Sequence, residues 1–313
     1  MGKLAFETLK SIFGGTFIDK ATELMTSLLE ILKTVFSSQS VTNMLTIFIS
    51  VSITILTLYL FIEVANRATT EQLTFERLIL ILVKFFAAFI ILANIKELIM
   101  VLFDISVAVY DMVQNAVSKS LGDGNNYGGL QFFPEQNATP DIFPESFSDE
   151  LKDAFEEAKY GDGIMSYINN MSPFFTCMLF KLFTMVTNIG CFLVVIGNAI
   201  SLIVRTIFAP IGMVQLMEDG SKSAGIRYLK KFLADGLTLA AILGVLYAVS
   251  RLQGGLISAS IPSGWNNKLI ASQDVLDALL SLGGVGIMVL ALQLAGIGAM
   301  FKASQIANDI VGI

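Results

Sequence analysis

The sequence predicts an all-α polytopic membrane protein with about five transmembrane helices. Of its 313 residues 54% are hydrophobic and only 15% are charged, whereas soluble chains carry roughly 25% charged residues. The apolar residues are also grouped in runs long enough to cross a bilayer, which takes about 20 helical residues. Four such runs are clear, at 41–63, 174–204, 229–250 and 278–301.

A fifth span begins at Leu78 with the run LILILVKFFAAFIILA. Asn94, Lys96 and Glu97 interrupt it, and LIMVLFDISVAVY then continues its apolar character. We therefore predict one helix that runs on past the membrane surface. Residues 41–110 would then contain the first two spans.

Residues 1–40 are predicted to form N-terminal amphipathic helices. Over 19–37 the apolar residues recur at i, i+3, i+4 and i+7, which is typical of a helix with one apolar face. Two glutamates and a lysine occupy the other faces. Such a helix should lie on the membrane or on neighbouring subunits rather than cross the bilayer.

The residue types that most enzymes and metal sites need are absent or poorly spaced. There is no histidine, which is the commonest general base and metal ligand. Cys177 and Cys191 would lie about 21 Å apart along one helix, too far for a disulfide. No nucleotide-binding glycine loop, CxxC pair or Ser/His/Asp set occurs. We predict no enzyme activity, no cofactor and no metal.

The signs of the charges predict the orientation of the chain. Residues 205–231 carry five basic residues against two acidic ones, and short loops rich in Lys and Arg stay in the cytoplasm. Residues 111–172 carry eleven acidic residues against three lysines, and we predict that they form an extracellular subdomain with a short helix. Threading five spans from the basic loop places the N-terminus outside and the C-terminus in the cytoplasm. Residues 173–313 would hold the last three spans.

The basic loop contains the sequence RTIFAPIGMVQLMEDGSKSAGIRYLKKFLADG. Pro210 lacks a backbone donor and Gly212 tolerates unusual backbone conformations, so the preceding helix should end or kink near Ala209. MVQLM would form a short helix at the inner interface, and EDGSKSAG a turn. A plain interfacial turn fits this pattern as well as a functional loop does.

Glu97, Asp104 and Asp111 recur every seven residues, which is nearly two helical turns. Their carboxylates would line one stripe that faces water or a lumen, where charged groups at membrane depth usually point. The alternative is that this part of the helix has left the bilayer and meets solvent.

The last predicted span carries a face of small residues. Ala291, Ala295 and Ala299 repeat every four residues, and such faces allow helices to approach closely. The partner helix belongs either to the same chain or to another copy.

The segments RTIFAPIG at 205–212 and GIRYLKKFLA at 225–234 resemble the region that joins two transmembrane helices in TrbL-like polytopic subunits of conjugative type IV secretion systems. The five-span layout, with its large outer loop after the second span, is similar to theirs. Family members often carry a tryptophan in that joining region, whereas the only tryptophan of this sequence, Trp265, falls in a predicted outer loop.

The resemblance implies a channel or scaffold component of the bacterial cytoplasmic membrane, which forms a ring of about five or more copies. Single-stranded DNA bound to a relaxase would be its substrate, and cytoplasmic ATPases and other secretion subunits its partners, besides membrane lipid. A cytoplasmic coupling loop would meet that machinery. Its residues are Arg205, Pro210, Gly212, Lys222, Gly225, Arg227, Tyr228, Lys230 and Lys231. The alternative is a small-solute or ion transporter subunit, for which inverted repeats and paired interrupted helices are typical.

Overall fold

The computed structural model describes residues 16–70, 74–121, 171–217, 223–260 and 283–313. Within these ranges the chain is helical and contains no strand, as the sequence predicts. The helices are α1 (Thr16–Ser37), α2 (Gln39–Thr69), α3 (Phe75–Ala93), α4 (Ile95–Leu121), α5 (Met171–Met213), α6 (Ala224–Ser260), α7 (Gly283–Phe301) and α8 (Ala303–Val311). A 3₁₀ turn, Val214–Met217, follows α5.

Several sequence predictions concern residues outside these ranges. Most of the acidic outer subdomain falls in 122–170, and Trp265 falls in 261–282. Lys222 of the predicted coupling loop also lies outside the described residues. These predictions stay predictions.

Three helical segments are long and apolar enough to cross a membrane: Gln39–Thr69, Cys177–Leu216 and Ala224–Gln253. Two helix pairs qualify when each pair is counted as one bent span. These are α3 with α4, bent by 66°, and α7 with α8, bent by 40°. The described residues therefore contain three to five candidate spans, in keeping with a multi-pass membrane protein, and the predicted number of five requires both bent pairs.

The span predicted from Leu78 onwards is not one continuous helix. The chain bends at Asn94, between the end of α3 and the start of α4. The side-chain amide of Asn94 donates to the carbonyl of Ile90 at 2.8 Å, and its own backbone carbonyl accepts from the amide of Leu98 at 3.1 Å. Asn94 thus satisfies backbone groups of both helices, as asparagine commonly does at helix ends. The prediction was wrong because the apolar pattern continues across the break.

The chain divides into two compact units. Unit 1 comprises Met1–Met25, Val113–Val195 and Ile242–Lys302, and unit 2 comprises Thr26–Met112, Ile196–Ala241 and Ala303–Ile313. The long helices α5 and α6 each contribute residues to both units. The linear division that the sequence predicts, at 1–40, 41–110, 111–172 and 173–313, describes the order of the spans and stays a prediction.

In unit 2, α1 packs against α4. The rings of Phe36 and Phe103 meet edge to face with their centroids 4.8 Å apart, and the hydroxyls of Thr26 and Tyr110 are 3.5 Å apart. These two contacts run in opposite directions along the helices, so α1 and α4 are antiparallel. The apolar face of α1, which includes buried Leu32, is thus covered by the same chain, at least in this segment.

The hairpin of α2 and α3 also belongs to unit 2. The side chain of Ser38 accepts from the amide of Val41 at 3.4 Å and so caps α2, while Thr74 caps α3 through the amide of Arg77 at the same distance. The buried residues of α2 all lie in its first 18 positions, and they are Val41, Leu45, Ser52 and Leu56. Beyond Leu56 most large apolar side chains of α2 are exposed, among them Leu58, Phe61 and Ile62.

In unit 1, α5, α6 and α7 approach one another at glycines. A Cβ built on Gly296 of α7 would lie 2.7 Å from Val249 of α6. On α5, Gly190 lies opposite Ile297, for which the corresponding distance is 3.2 Å. The missing side chains thus permit the close packing that apolar helices need where no hydrophobic force drives them together.

Candidate functional site

The candidate site is the helical hairpin formed by the end of α5 and the start of α6. Pro210 lies inside α5, which continues to Met213. The helix therefore does not end near Ala209, because proline lacks one donor without stopping this helix within its last turn. The alternative, a kink near Ala209, stays a prediction. The residues MVQLM form the last α-helical position and the 3₁₀ turn, so the predicted short helix is present as a 3₁₀ turn that follows α5 directly. Its location at the inner interface stays a prediction.

The start of α6 is fixed by Ser223. Its hydroxyl accepts from the amide of Ile226 at 3.3 Å, and its carbonyl accepts from the amide of Arg227 at 3.1 Å. Serine is a preferred residue at this position because its oxygen satisfies an amide that has no partner within the helix. The second helix of the hairpin thus has a defined start at Ser223.

Asp235 is the centre of the polar contacts within the hairpin. Its Oδ2 forms an ion pair with Nε of Arg205 and accepts a hydrogen bond from the hydroxyl of Ser201 at 3.0 Å. The side-chain amide of Asn198 donates to the backbone carbonyl of Asp235 at 3.1 Å. Asn198, Ser201 and Arg205 are spaced by three and four residues, so they share one face of α5.

A buried charge costs several kcal/mol unless it is paired and hydrogen-bonded. The carboxylate of Asp235 is 9% exposed and the guanidinium side chain of Arg205 is 31% exposed, so the acid depends more strongly on the pair than the base does. Because Asp235 is satisfied only when α5 presents its polar face, the network fixes the register of α5 against α6.

Tyr228 adds a second set of contacts across the hairpin. Its hydroxyl donates to the backbone carbonyl of Arg205 at 2.5 Å, and its ring lies on Gly212, where an added Cβ would be 2.6 Å from the ring carbon Cδ2. Gly225 lies equally close to Leu216, with a corresponding distance of 2.7 Å. Both glycines are therefore required by close approach rather than by an unusual backbone angle.

The hairpin is held against other helices of unit 2. The 3₁₀ turn packs against α2 and α3, and Phe208 contacts Phe48 of α2 with ring centroids 5.0 Å apart. On α6, Gly236 lies against Ser106 of α4, where an added Cβ would overlap the serine hydroxyl. These contacts position the hairpin as a built element of the fold.

The basic residues of the predicted coupling loop differ in their contacts and exposure. Arg205 is used in the ion pair. Lys230 is half-buried, and its ammonium donates to the carbonyl of Gly312 at 3.1 Å, beyond the end of α8. Arg227 and Lys231 are exposed.

Sequence reasoning identified one side of this site and missed the other. It singled out Arg205, Gly212, Gly225 and Tyr228, which the structure brings together. It missed Asp235, Ser201 and Asn198. One available signal was that Asp235 is the only acidic residue in α6, since an ionised residue within an apolar span usually has a partner.

The acidic stripe lies on an exposed face of α4. Glu97, Asp104 and Asp111 are all exposed, on a side of the helix away from buried Phe103 and Tyr110. They therefore share a face, as their spacing predicts. Whether that face meets a lumen or solvent stays a prediction.

The alanine face of α7 is not the face that packs within the chain. Ala291 and Ala295 are exposed and Ala299 is half-buried, whereas Gln293 and Gly296 are buried. The face that carries Gly296 and Ile297 makes the close contacts described above. Of the two partners that the sequence leaves open for the alanines, the structure places no helix of the described chain over Ala291 and Ala295.

Among the described residues, no group of three or more His, Cys, Asp or Glu side chains could hold a metal ion. Comparison with known proteins found no matching family model, curated protein or solved structure. The interpretation of the hairpin therefore depends on its own residues and geometry.

Proposed function

We propose that this chain is a TrbL-like channel or scaffold subunit of a conjugative type IV secretion system in the bacterial cytoplasmic membrane. The observation that carries the proposal is the hairpin locked by Arg205, Tyr228 and Asp235. Arg205 lies in RTIFAPIG and Tyr228 in GIRYLKKFLA, the two segments on which the family resemblance depends. The resemblance thus involves residues that contact one another, not merely a shared basic composition.

In this proposal the hairpin is the cytoplasmic coupling element, with the N-terminus of the chain outside and the C-terminus in the cytoplasm. The positive-inside tendency supports that orientation. The ion pair and the close contacts at Gly212 and Gly225 make the hairpin stiff, so that a cytoplasmic ATPase docked on it would transmit movement into the membrane helices.

The described part of a single copy, with three to five candidate spans, has too few helices to surround a strand of DNA. The proposal therefore includes a ring of about five or more copies around a central path, as closed cyclic symmetry allows. The exposed alanine face of α7 supports such an assembly, because small residues permit close approach between helices of neighbouring subunits. Relaxase-bound single-stranded DNA would be the substrate.

The second candidate function is a small-solute or ion transporter subunit. The observation that favours it is the presence of two bent helix pairs, α3 with α4 and α7 with α8. Interrupted helices in matching halves are typical of secondary transporters. The odd number of five candidate spans, with both pairs counted, fits two matching halves less well.

Counting the copies per particle separates these two functions. The full chain would be purified in lipid nanodiscs and in mild detergent, and its mass would be measured by native mass spectrometry. A closed ring of about five or more copies supports a conduit. A monomer or dimer in both environments contradicts it and favours the transporter.

A conjugation assay tests the cargo separately. A donor strain lacking the gene would be complemented with the wild-type chain or with Arg205→Ala, and the number of recipients that acquire the plasmid would be counted. We expect the variant to lose transfer while it remains in the membrane fraction. Unchanged transfer after complete removal of the gene would contradict a role in conjugation.

A further inference from the structure

We propose that Arg227 and Lys231 form a binding site for the phosphate headgroup of an anionic phospholipid at the start of α6. Both side chains are exposed. They are four residues apart, so they lie on one face and about 6 Å apart along the helix axis. This proposal does not depend on the proposed secretion function, since a transporter with the same hairpin would bind the same lipid.

The position of the two cations along α6 fits a headgroup rather than a soluble anion. They lie in the first two turns after Ser223, at one end of the candidate span Ala224–Gln253. Basic residues at the end of a span sit at the level of the lipid phosphates.

Asp235 attracts the charge of Lys231, but its short-range ion pair is with another residue. Asp235, the only acidic residue of α6, is paired with Arg205. Among the described residues, neither Arg227 nor Lys231 forms an ion pair. Lys230 is directed to the carbonyl of Gly312. The site is therefore a local pair of positive charges beside a neutralised acid.

The small size of the site favours a phospholipid over nucleic acid. Proteins that bind single strands commonly follow the backbone over about 4 to 16 nucleotides and stack bases on aromatic side chains. Two exposed cations one turn apart match a single phosphate group. Neither aromatic side chain beside them is available for stacking, because Tyr228 is turned into the hairpin by its bond to Arg205 and Phe232 is buried.

The test is lipid retention by the full chain. The protein would be reconstituted in nanodiscs that contain phosphatidylcholine with increasing fractions of phosphatidylglycerol, and the lipids retained on release would be counted by native mass spectrometry. We expect selective retention of phosphatidylglycerol. The double variant Arg227→Gln/Lys231→Gln should weaken this apparent affinity about 30-fold and each single variant about fivefold, from the usual contribution of one basic residue near an anionic surface.

Two controls make the result specific. Lys33→Gln removes an exposed lysine from α1 and should leave retention unchanged, and Arg227→Lys should preserve most of it. Equal retention of both lipids, or an equal loss in Lys33→Gln, would overturn the proposal. So would binding of a fluorescent single-stranded oligonucleotide that the double variant abolishes while phosphatidylglycerol retention stays intact. The copy number of the particles is read in the same spectra, so failure of the lipid site is distinguishable from failure of the proposed ring.

Discussion

Arg205 and Asp235 form an ion pair between α5 and α6 in which the two partners are unequally buried. The aspartate side chain is 9% exposed and the arginine side chain is 31% exposed. The arginine can therefore turn its charge towards water or lipid phosphates if it loses its partner. The buried aspartate cannot reach solvent in the same way. Replacing Arg205 and replacing Asp235 should therefore have unequal effects on stability.

Replacing Arg205 with alanine should destabilise the protein more than replacing Asp235 with alanine. Breaking a buried pair by removing one partner costs about 3 to 5 kcal/mol, and we expect Arg205→Ala to fall in that range. Asp235→Ala should cost about 1 to 3 kcal/mol, because hydrogen-bonding groups of α5 lose a partner but no buried charge remains. Reversible unfolding in mixed micelles with increasing dodecyl sulfate, followed by circular dichroism, measures both.

The double variant Arg205→Ala/Asp235→Ala provides the control for that ranking. It should be more stable than Arg205→Ala alone, since removing the acid also removes the unpaired buried charge. A greater loss in Asp235→Ala than in Arg205→Ala would show that the carboxylate is not the dependent partner.

Adding one methyl group at Gly212 should destabilise the hairpin. A Cβ there would lie 2.6 Å from the ring of Tyr228, so the ring must move from its bond to Arg205. We expect a net loss of about 1 to 2 kcal/mol, because overpacking outweighs the gain in helix propensity. The unfolding assay in micelles measures this change.

Gly197→Ala is the matched control on the same helix. Nothing lies within 4 Å of a Cβ at Gly197, so the substitution should stabilise α5 by about 0.5 to 1 kcal/mol. In a Tyr228→Ala background, Gly212→Ala should cost less than it does in the wild type. If Gly212→Ala and Gly197→Ala change stability by the same amount, the contact between Gly212 and the ring of Tyr228 does not contribute to stability.

Substitution at Gly236 tests the contact between α6 and α4. An added Cβ would overlap the hydroxyl of Ser106 and lie 2.7 Å from its Cβ, so Gly236→Ala should destabilise by about 1 to 3 kcal/mol. Gly244→Ala, which meets nothing within 4 Å, should be neutral or stabilising. Thermal unfolding in nanodiscs compares them, and Ser106→Gly should rescue Gly236→Ala. A lack of rescue would mean that the strain lies elsewhere.

The acidic stripe of α4 can be tested by its charge alone. Asp104 and Asp111 are exposed, so Asp104→Asn/Asp111→Asn should leave stability within about 0.5 kcal/mol of the wild type. If the stripe lines a wet conduit, this variant should reduce plasmid transfer in the conjugation assay. Glu23→Gln/Glu30→Gln on the exposed side of α1 is the charge-matched control. Unaltered transfer would exclude the lumen stripe and leave a face that meets solvent.

The local properties of the sequence were enough for the fold class and for one half of the site. Hydropathy and helical period indicated a helical multi-pass chain, because both depend only on neighbouring residues along the helix. Pro210, Gly212 and Gly225, together with the basic residues around them, distinguished this segment from the apolar spans on either side. The family resemblance added Tyr228 to the same region, and its contact with Gly212 gives that glycine a physical reason.

Only the tertiary structure decided which groups meet. The bend at Asn94 is accompanied by a hydrogen bond from its side chain to Ile90, which the apolar pattern does not reveal. The pairing of Asp235 with Arg205 depends on α5 and α6 being neighbours in a fixed register. The same holds for α7, which approaches α6 at Gly296 and leaves Ala291 and Ala295 exposed. Apolar helix faces are chemically alike, so the sequence determines that helices form, and shape and polar pairing decide which faces pack.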